Sequence, residues 1–291
     1  MGISIEQRFA PLGETFDAFI VDIWGVLMDG AAPYPGAREC LQQLRHLGKK
    51  IILLSNAPRQ ASSVSRRLAA IGIDRPLYDH ILTSGEASRR ALSERSSPYT
   101  ASLGRLYFHI GPEKDQDLLQ GLEYVETENI GEAEFVLVTG VIDDHDRLER
   151  YEKYLKIGVE LTLPMICANP DTVVVRQNGD RVMCAGAIAS RYQEIGGKAH
   201  YFGKPYQEFY ESCLDALGSS TQGRVLAVGD TLHTDIKGAQ YAGLTTALVL
   251  GGVLAKQLKI AWGETPHPEC LENLCASQDI FPDFALPAFK W

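Results

Sequence analysis

The sequence has no apolar run near the ~20 residues that a bilayer-spanning helix requires. Its longest, such as Ile51 to Leu54, have the length of buried strands, and no membrane partner is expected. There is no C-x-x-C pair. Six cysteines stand at 40, 167, 184, 213, 270 and 275, mostly in apolar-periodic segments, and a chain of 291 residues needs no disulfide staples, so all six read as buried thiols. Residues Met1 to Phe16 lack the basic start, apolar centre and small-residue cleavage pattern of a secretory leader, so a cytoplasmic location is expected. Basic side chains are outnumbered, 28 Lys and Arg against 37 Asp and Glu. The formal charge of −9 repels a nucleic-acid backbone and excludes that partner, while leaving room for a chelated divalent cation or a small phosphorylated molecule. No internal repeat or low-complexity tract is present.

With 45% apolar and 22% charged residues the composition is that of a folded globular chain, and the length suggests two domains. Strand-length apolar stretches alternate with helix-period segments, the pattern of a parallel sheet with crossover helices, so the fold class is α/β. Phe19 to Val21, Ile51 to Leu54 and His80 to Thr83 read as strands. So do Val225 to Val228 and Thr246 to Leu250, flanking a helix from about Thr234. In the middle, Leu106 to Ile110, Glu134 to Val138, Met165 to Ala168 and Val173 to Arg176 form a second strand set. Asn178-Gly179 supplies a tight hairpin turn between Val173 to Val175 and Arg181 to Met183. Residues 1–85 and 197–291 are therefore read as a discontinuous core domain and 86–196 as an inserted α/β domain, with Ser84-Gly85 and Gly196-Gly197 as hinge segments. The tail from Gly263 to Trp291 is expected to cover the core as short helix and coil, with Phe281, Phe284, Phe289 and Trp291 packed inward.

Four short segments carry chemistry. Asp22 follows the strand Phe19 to Val21, where open α/β sheets bind ligands and a carboxylate can serve as nucleophile or metal ligand; the plainer reading is a turn cap. Ser55-Asn56 ends the next strand ahead of a helix, suited to a phosphoryl oxygen or to ordinary capping. Gly203-Lys204-Pro205 places a cation before another helix. Gly229-Asp230-Thr231 with Asp235 sets two acids after the strand Val225 to Val228, a donor set for a hard cation such as Mg²⁺.

This order of segments, with an insertion between the serine and the lysine, resembles the haloacid dehalogenase superfamily of aspartate-nucleophile hydrolases. Nearly the whole chain is similar to the branch that carries a large α/β cap and includes sugar phosphatases and p-nitrophenylphosphatases. Gly203-Lys204-Pro205, Gly229-Asp230 with Asp235, and Asn169-Pro170-Asp171 all look like that branch. The resemblance implies a doubly wound, Rossmann-like core and a Mg²⁺-dependent phosphatase for a small phosphorylated metabolite. Asp22 would form an aspartyl-phosphate, Ser55 and Asn56 would bind the phosphoryl group, and Lys204 would neutralise charge beside the nucleophile. Asp22, the backbone carbonyl of Trp24 and Asp230 would hold Mg²⁺, with Asp235 in support. A homodimer through the cap is also implied.

One position departs from the family pattern. Its phosphatases carry a second aspartate two residues after the nucleophile, where this chain has Trp24. That aspartate serves as general acid and base, help worth roughly 10²- to 10⁴-fold, or about 3 to 5 kcal/mol of barrier. Three readings follow. The first is a phosphatase for leaving groups that need little protonation, or one that recruits another acid, Asp29 and His233 being the candidates. The second is a dehalogenase-type displacement at carbon, against which the metal-type Asp230 speaks. The third is a phospholigand-binding or regulatory protein without turnover. In the insertion, Asn169, Asp171, Asp143 and His145 read as solvated loop residues.

Overall fold

The computed structural model describes residues 2–175, 180–218 and 224–291. The described residues form fourteen strands, in chain order: β1 (Ser4–Ile5), β2 (Ala18–Asp22), β3 (Lys50–Ser55), β4 (His80–Thr83), β5 (Leu106–Ile110), β6 (Val125–Glu126), β7 (Phe135–Val138), β8 (Pro164–Cys167), β9 (Val173–Val175), β10 (Arg181–Met183), β11 (Lys198–Tyr201), β12 (Val225–Gly229), β13 (Thr245–Val249) and β14 (Phe284–Leu286). Seven make one all-parallel sheet in the order β1-β14-β13-β12-β2-β3-β4, and five make a second parallel sheet, β11-β8-β7-β5-β6. The short pair β9 and β10 is antiparallel, as the hairpin reading requires; its turn residues Asn178 and Gly179, with Arg176, lie outside the described residues.

Both sheets are covered on two faces, and the side-chain period of two sorts their residues. On β2 and β3, Phe19, Val21, Ile51 and Leu53 enter one apolar core, while Ala18, Ile20, Ile52 and Leu54 enter another on the opposite face. In the second sheet Val136 and Val138 face one core, and Phe135 and Leu137 the other. Burial on both faces is why these strands read as continuous apolar runs rather than alternating ones.

Several expectations are corrected. Lys198–Tyr201 is not part of the large sheet; it is the edge strand of the second one, paired with β8. The other junction holds Gly85. It lies in the helix Ser84–Glu94, capped by the Thr83 hydroxyl, and a Cβ on it would come within 2.3 Å of the Arg59 backbone nitrogen. That helix packs Ala87 into a core of the large sheet and Leu92 into one of the second, tying the two together. The tail contributes a strand, β14, that the sequence reading treated as coil, and β1 pairs beside it. Phe289 is buried against Phe9, but Phe281 is exposed. None of the six cysteines is in a disulfide, and five are buried; Cys270 is exposed. Among the described residues no helix is long and apolar enough to cross a membrane.

Candidate active site

The site forms where neighbouring strands end. β12, β2 and β3 lie side by side, and Val21 is level with Val228 while Asp22 is level with Leu54. Ser55 and Asp230 therefore stand one step past the level of Asp22, all at carboxyl ends of parallel strands. After Asp230 the chain enters a π-helical turn, Leu232–Ile236, in which Ile236 N–H donates to Thr231 O at 3.1 Å. The extra residue in that turn brings Asp235 back toward the strand end.

Lys204 arrives from the other sheet, just after β11. Asn56 fixes it: Lys204 N–H donates to Asn56 Oδ1 at 2.8 Å, and Asn56 Nδ2 donates to the Lys204 carbonyl at 3.2 Å. Gly203 is needed for this approach, since at φ +122° a Cβ there would lie 2.4 Å from Asn56 Oδ1. The Lys204 ammonium then donates to Asp22 Oδ1 and, at 2.6 Å, to Asp235 Oδ1. The second oxygen of Asp235 accepts from Thr231 N–H at 3.1 Å and from the Thr231 hydroxyl at 2.6 Å.

Asp22, Asp230 and Asp235 are all buried, each offering an oxygen within 4.8 Å of the others. One lysine does not balance three carboxylates. Burial first, then Asp235 and Asp171, outweigh Lys204 and raise the Asp22 carboxyl to about 8. Burial, with Asp22 and Asp235, pushes Asp230 well above the carboxylate range. Burial alone would lower Lys204, but Asp22 and Asp235 outweigh it and hold the ammonium well above its ordinary value. Asp230 takes no hydrogen bond or ion pair from any described residue, and Gly25, at φ +84°, leaves the space it occupies: a Cβ there would lie 2.0 Å from Asp230 Oδ2. A buried carboxylate without a donor, beside another, fits a divalent cation. Both oxygens of Asp235 accept hydrogen bonds, one from Lys204 and the other from Thr231.

The expected residues Asp22, Trp24, Ser55, Asn56, Lys204, Asp230 and Asp235 all line one cavity of about 240 Å³ between the two sheets. Ser55 Oγ accepts from Ala57 N–H at 3.2 Å, so the hydroxyl is held at the start of the following turn. Of the two candidate acids, His233 is exposed and lines no part of the cavity. Asp29 does line it, but its carboxylate accepts from Ala31 and Ala32 N–H, both at 2.9 Å, so it is the turn residue. Asn169 is buried and Asp171 half-buried, and both are hydrogen-bonded. Asp171 N–H donates to Asn169 Oδ1 at 3.0 Å, and Asp171 Oδ1 accepts from Asn56 Nδ2 at 2.9 Å. The pair comes from the connection between β8 and β9 and joins the inserted segment to Asn56; the sequence signal was Asn169-Pro170-Asp171 itself. Asp143 and His145 are exposed, as expected. Arg59 and Asp115 were not anticipated. Arg59 Nε donates to Asp115 Oδ1 at 2.8 Å, a second tie between the core and the insertion.

A haloacid dehalogenase-like hydrolase family model matches residues 19–125, and a second, HAD-hydrolase-like, matches 201–276. A solved hydrolase of the haloacid dehalogenase-like family from Brucella suis 1330 is 33% identical, with 97% of this chain and 99% of that one covered and a TM-score of 0.80. The chain is also 29% identical to the ribonucleotide monophosphatase NagD of Escherichia coli strain K12 over 245 residues, 82% of this chain and 89% of that protein. It is 26% identical to the 4-nitrophenylphosphatase of Schizosaccharomyces pombe over 284 residues, 91% and 93% of the two.

Proposed function

The chain belongs to the haloacid dehalogenase-like hydrolase family, and from that premise we propose that it is a Mg²⁺-dependent phosphatase of small phosphorylated metabolites, working through an aspartyl-phosphate on Asp22. The observation that carries this reading is the Lys204 ammonium bonded at once to Asp22 and Asp235 beside the donorless Asp230. Relatives named as phosphatases, over most of their length, support it.

In this reading Asp22 attacks phosphorus in line with the ester oxygen. Two anions approach, so the ammonium of Lys204 and a cation must share their charge. Asp22, Asp230 and the Trp24 carbonyl would hold Mg²⁺, which supplies Lewis-acid charge neutralisation of the phosphoryl oxygens. The Ser55 hydroxyl and Asn56 receive the phosphoryl group. Asp235 holds Lys204 in place, and the second sheet acts as the cap, its Asn169-Pro170-Asp171 segment anchored to Asn56. No carboxyl stands at position 24, so the leaving oxygen departs without that acid. Esters with acidic leaving groups, aryl and acyl phosphates, are then the favoured substrates.

Trp24 also supports a second reading, a phospholigand-binding protein with no turnover. The two are separated by phosphate release from p-nitrophenyl phosphate, acetyl phosphate and a sugar phosphate, with Mg²⁺ or EDTA. Mg²⁺-dependent release by the wild type that is lost in Asp22→Asn, and is faster for the activated esters, is expected; no release from any of them overturns the phosphatase.

A further inference from the structure

A second cavity, of about 490 Å³, shares Trp24, Asp29, Ser55, Ala57, Arg59 and Lys114 with the site above and has no assigned role. Its charge is opposite. The first cavity is lined by seven aspartates, Asp22, Asp171, Asp230 and Asp235 among them, against Arg59, Lys114 and Lys204. The second is lined by Arg59, Arg67 and Lys114 against Asp29 alone, in a chain whose formal charge is −9. Asp29 is already committed to two backbone amides of its own turn. Lys114 is exposed and makes no ion pair with any described residue, while Arg67 is tied only to the Gly30 carbonyl and to no acid. Arg59 spends its Nε on Asp115 and keeps its terminal nitrogens. Between these cations, Ile23, Met28, Val64 and Leu68 give an apolar wall, and the Trp24 indole borders both cavities.

We propose that this second cavity receives the leaving-group end of the substrate, and that Arg59, Arg67 and Lys114 select phosphomonoesters whose leaving group carries a second anion. This rests on the phosphatase reading of the neighbouring site. A second anion has no place in the first cavity, where the carboxylates would repel it. In the second its carbon skeleton meets apolar side chains and its charge meets Arg67 and Lys114, which pair with no acid among the described residues, and the free end of Arg59. Trp24, by standing where an acid is usual, leaves Asp29 as the one carboxylate lining this cavity among the described residues. The second anion is a carboxylate or a phosphate.

Phosphonates bind without being cleaved, so calorimetry on the Mg²⁺-loaded wild-type protein tests the site without turnover. Propylphosphonate is compared with 3-phosphonopropionate and with propane-1,3-diphosphonate, and the same comparison is repeated one carbon shorter and longer. At one chain length the anion-tipped ligand should bind at least about tenfold tighter, the worth of one charge-assisted contact. Lys114→Gln and Arg67→Gln, both at exposed positions, should each reduce that ratio. The carboxylate and phosphonate arms show which anion is preferred. No preference at any length, or one that survives both variants, overturns the inference. Preference without phosphate release from any ester removes the phosphatase reading and keeps the anion site; release without preference does the reverse. If no phosphonate binds, the anion site falls, and phosphate release alone decides the phosphatase reading.

Discussion

The Lys204 ammonium lies between Asp22 and Asp235, donating to both, although the lysine reaches them from the far end of a different sheet. Removing it leaves buried carboxylates with no counter-charge. Lys204→Met should abolish phosphate release and lower stability by about 3 kcal/mol, the scale of breaking a buried ion pair. A shift of the urea midpoint in metal-free protein checks the second part.

Trp24 is two residues beyond Asp22, and its indole covers Gly30 so closely that a Cβ there would lie 2.1 Å from Cη2. A carboxyl at position 24 has the sequence spacing of the missing acid. Trp24→Asp should therefore raise kcat on a sugar phosphate by about 10²-fold or more, and much less on p-nitrophenyl phosphate, whose leaving group needs little protonation. Equal gains on both esters would count against acid catalysis as the cause.

Asp230 is buried beside Asp22 with no hydrogen-bond donor, so the metal-free protein pays for like charges. Mg²⁺ at about a hundredfold excess over its Kd should stabilise the wild type by ~2.7 kcal/mol. Asp230→Asn should lose that response and, without metal, melt a few degrees above the wild type, since about 1 kcal/mol moves Tm by roughly 2–4 °C at this size. Thermal melts with Mg²⁺ and with EDTA read both effects.

Gly203 sits at φ +122°, a conformation open essentially to glycine, with Asn56 Oδ1 in the space of a side chain. Gly203→Ala should cost roughly 1–3 kcal/mol from backbone strain and push Asn56 off Lys204. A lowered Tm together with lost activity is expected; an unchanged Tm would show that the loop adjusts freely.

His109 tests the second sheet by itself. Its side chain is 3% exposed, and burial lowers its pKa to about 4, outweighing the Glu126 carboxylate 3.9 Å away. Below pH 6.5 the unfolded chain takes up a proton that the folded one refuses. Stability is therefore full above that pH and falls as pH drops toward about 4, by up to roughly 3 kcal/mol. His109→Gln should flatten the urea-midpoint profile across that window.

Adjacency along the chain settled a good part of this protein. The strand-end placement of Asp22, Ser55 and Asp230 was legible because each directly follows an apolar run that marks its strand as buried on both faces, and parallel strands end at a common edge. The Asn178-Gly179 pair announced the pairing of β9 with β10. Tertiary structure decided what depends on distance through space. Lys204 meets Asp22 across 182 positions of sequence, and no local pattern says which acids a lysine will face. Asp171 looked like a loop residue until the connection after β8 folded onto Asn56. The strands β1 and β14, of two and three residues, are too short to show a period and exist because the edge of a sheet accepts them. Lys198–Tyr201 could pair with either sheet on apolar content alone; its register with Pro164–Cys167 made it part of the second. The contrast between an acidic cavity and a cationic one is invisible in a net charge of −9, because sign at a site depends on which side chains the fold brings together.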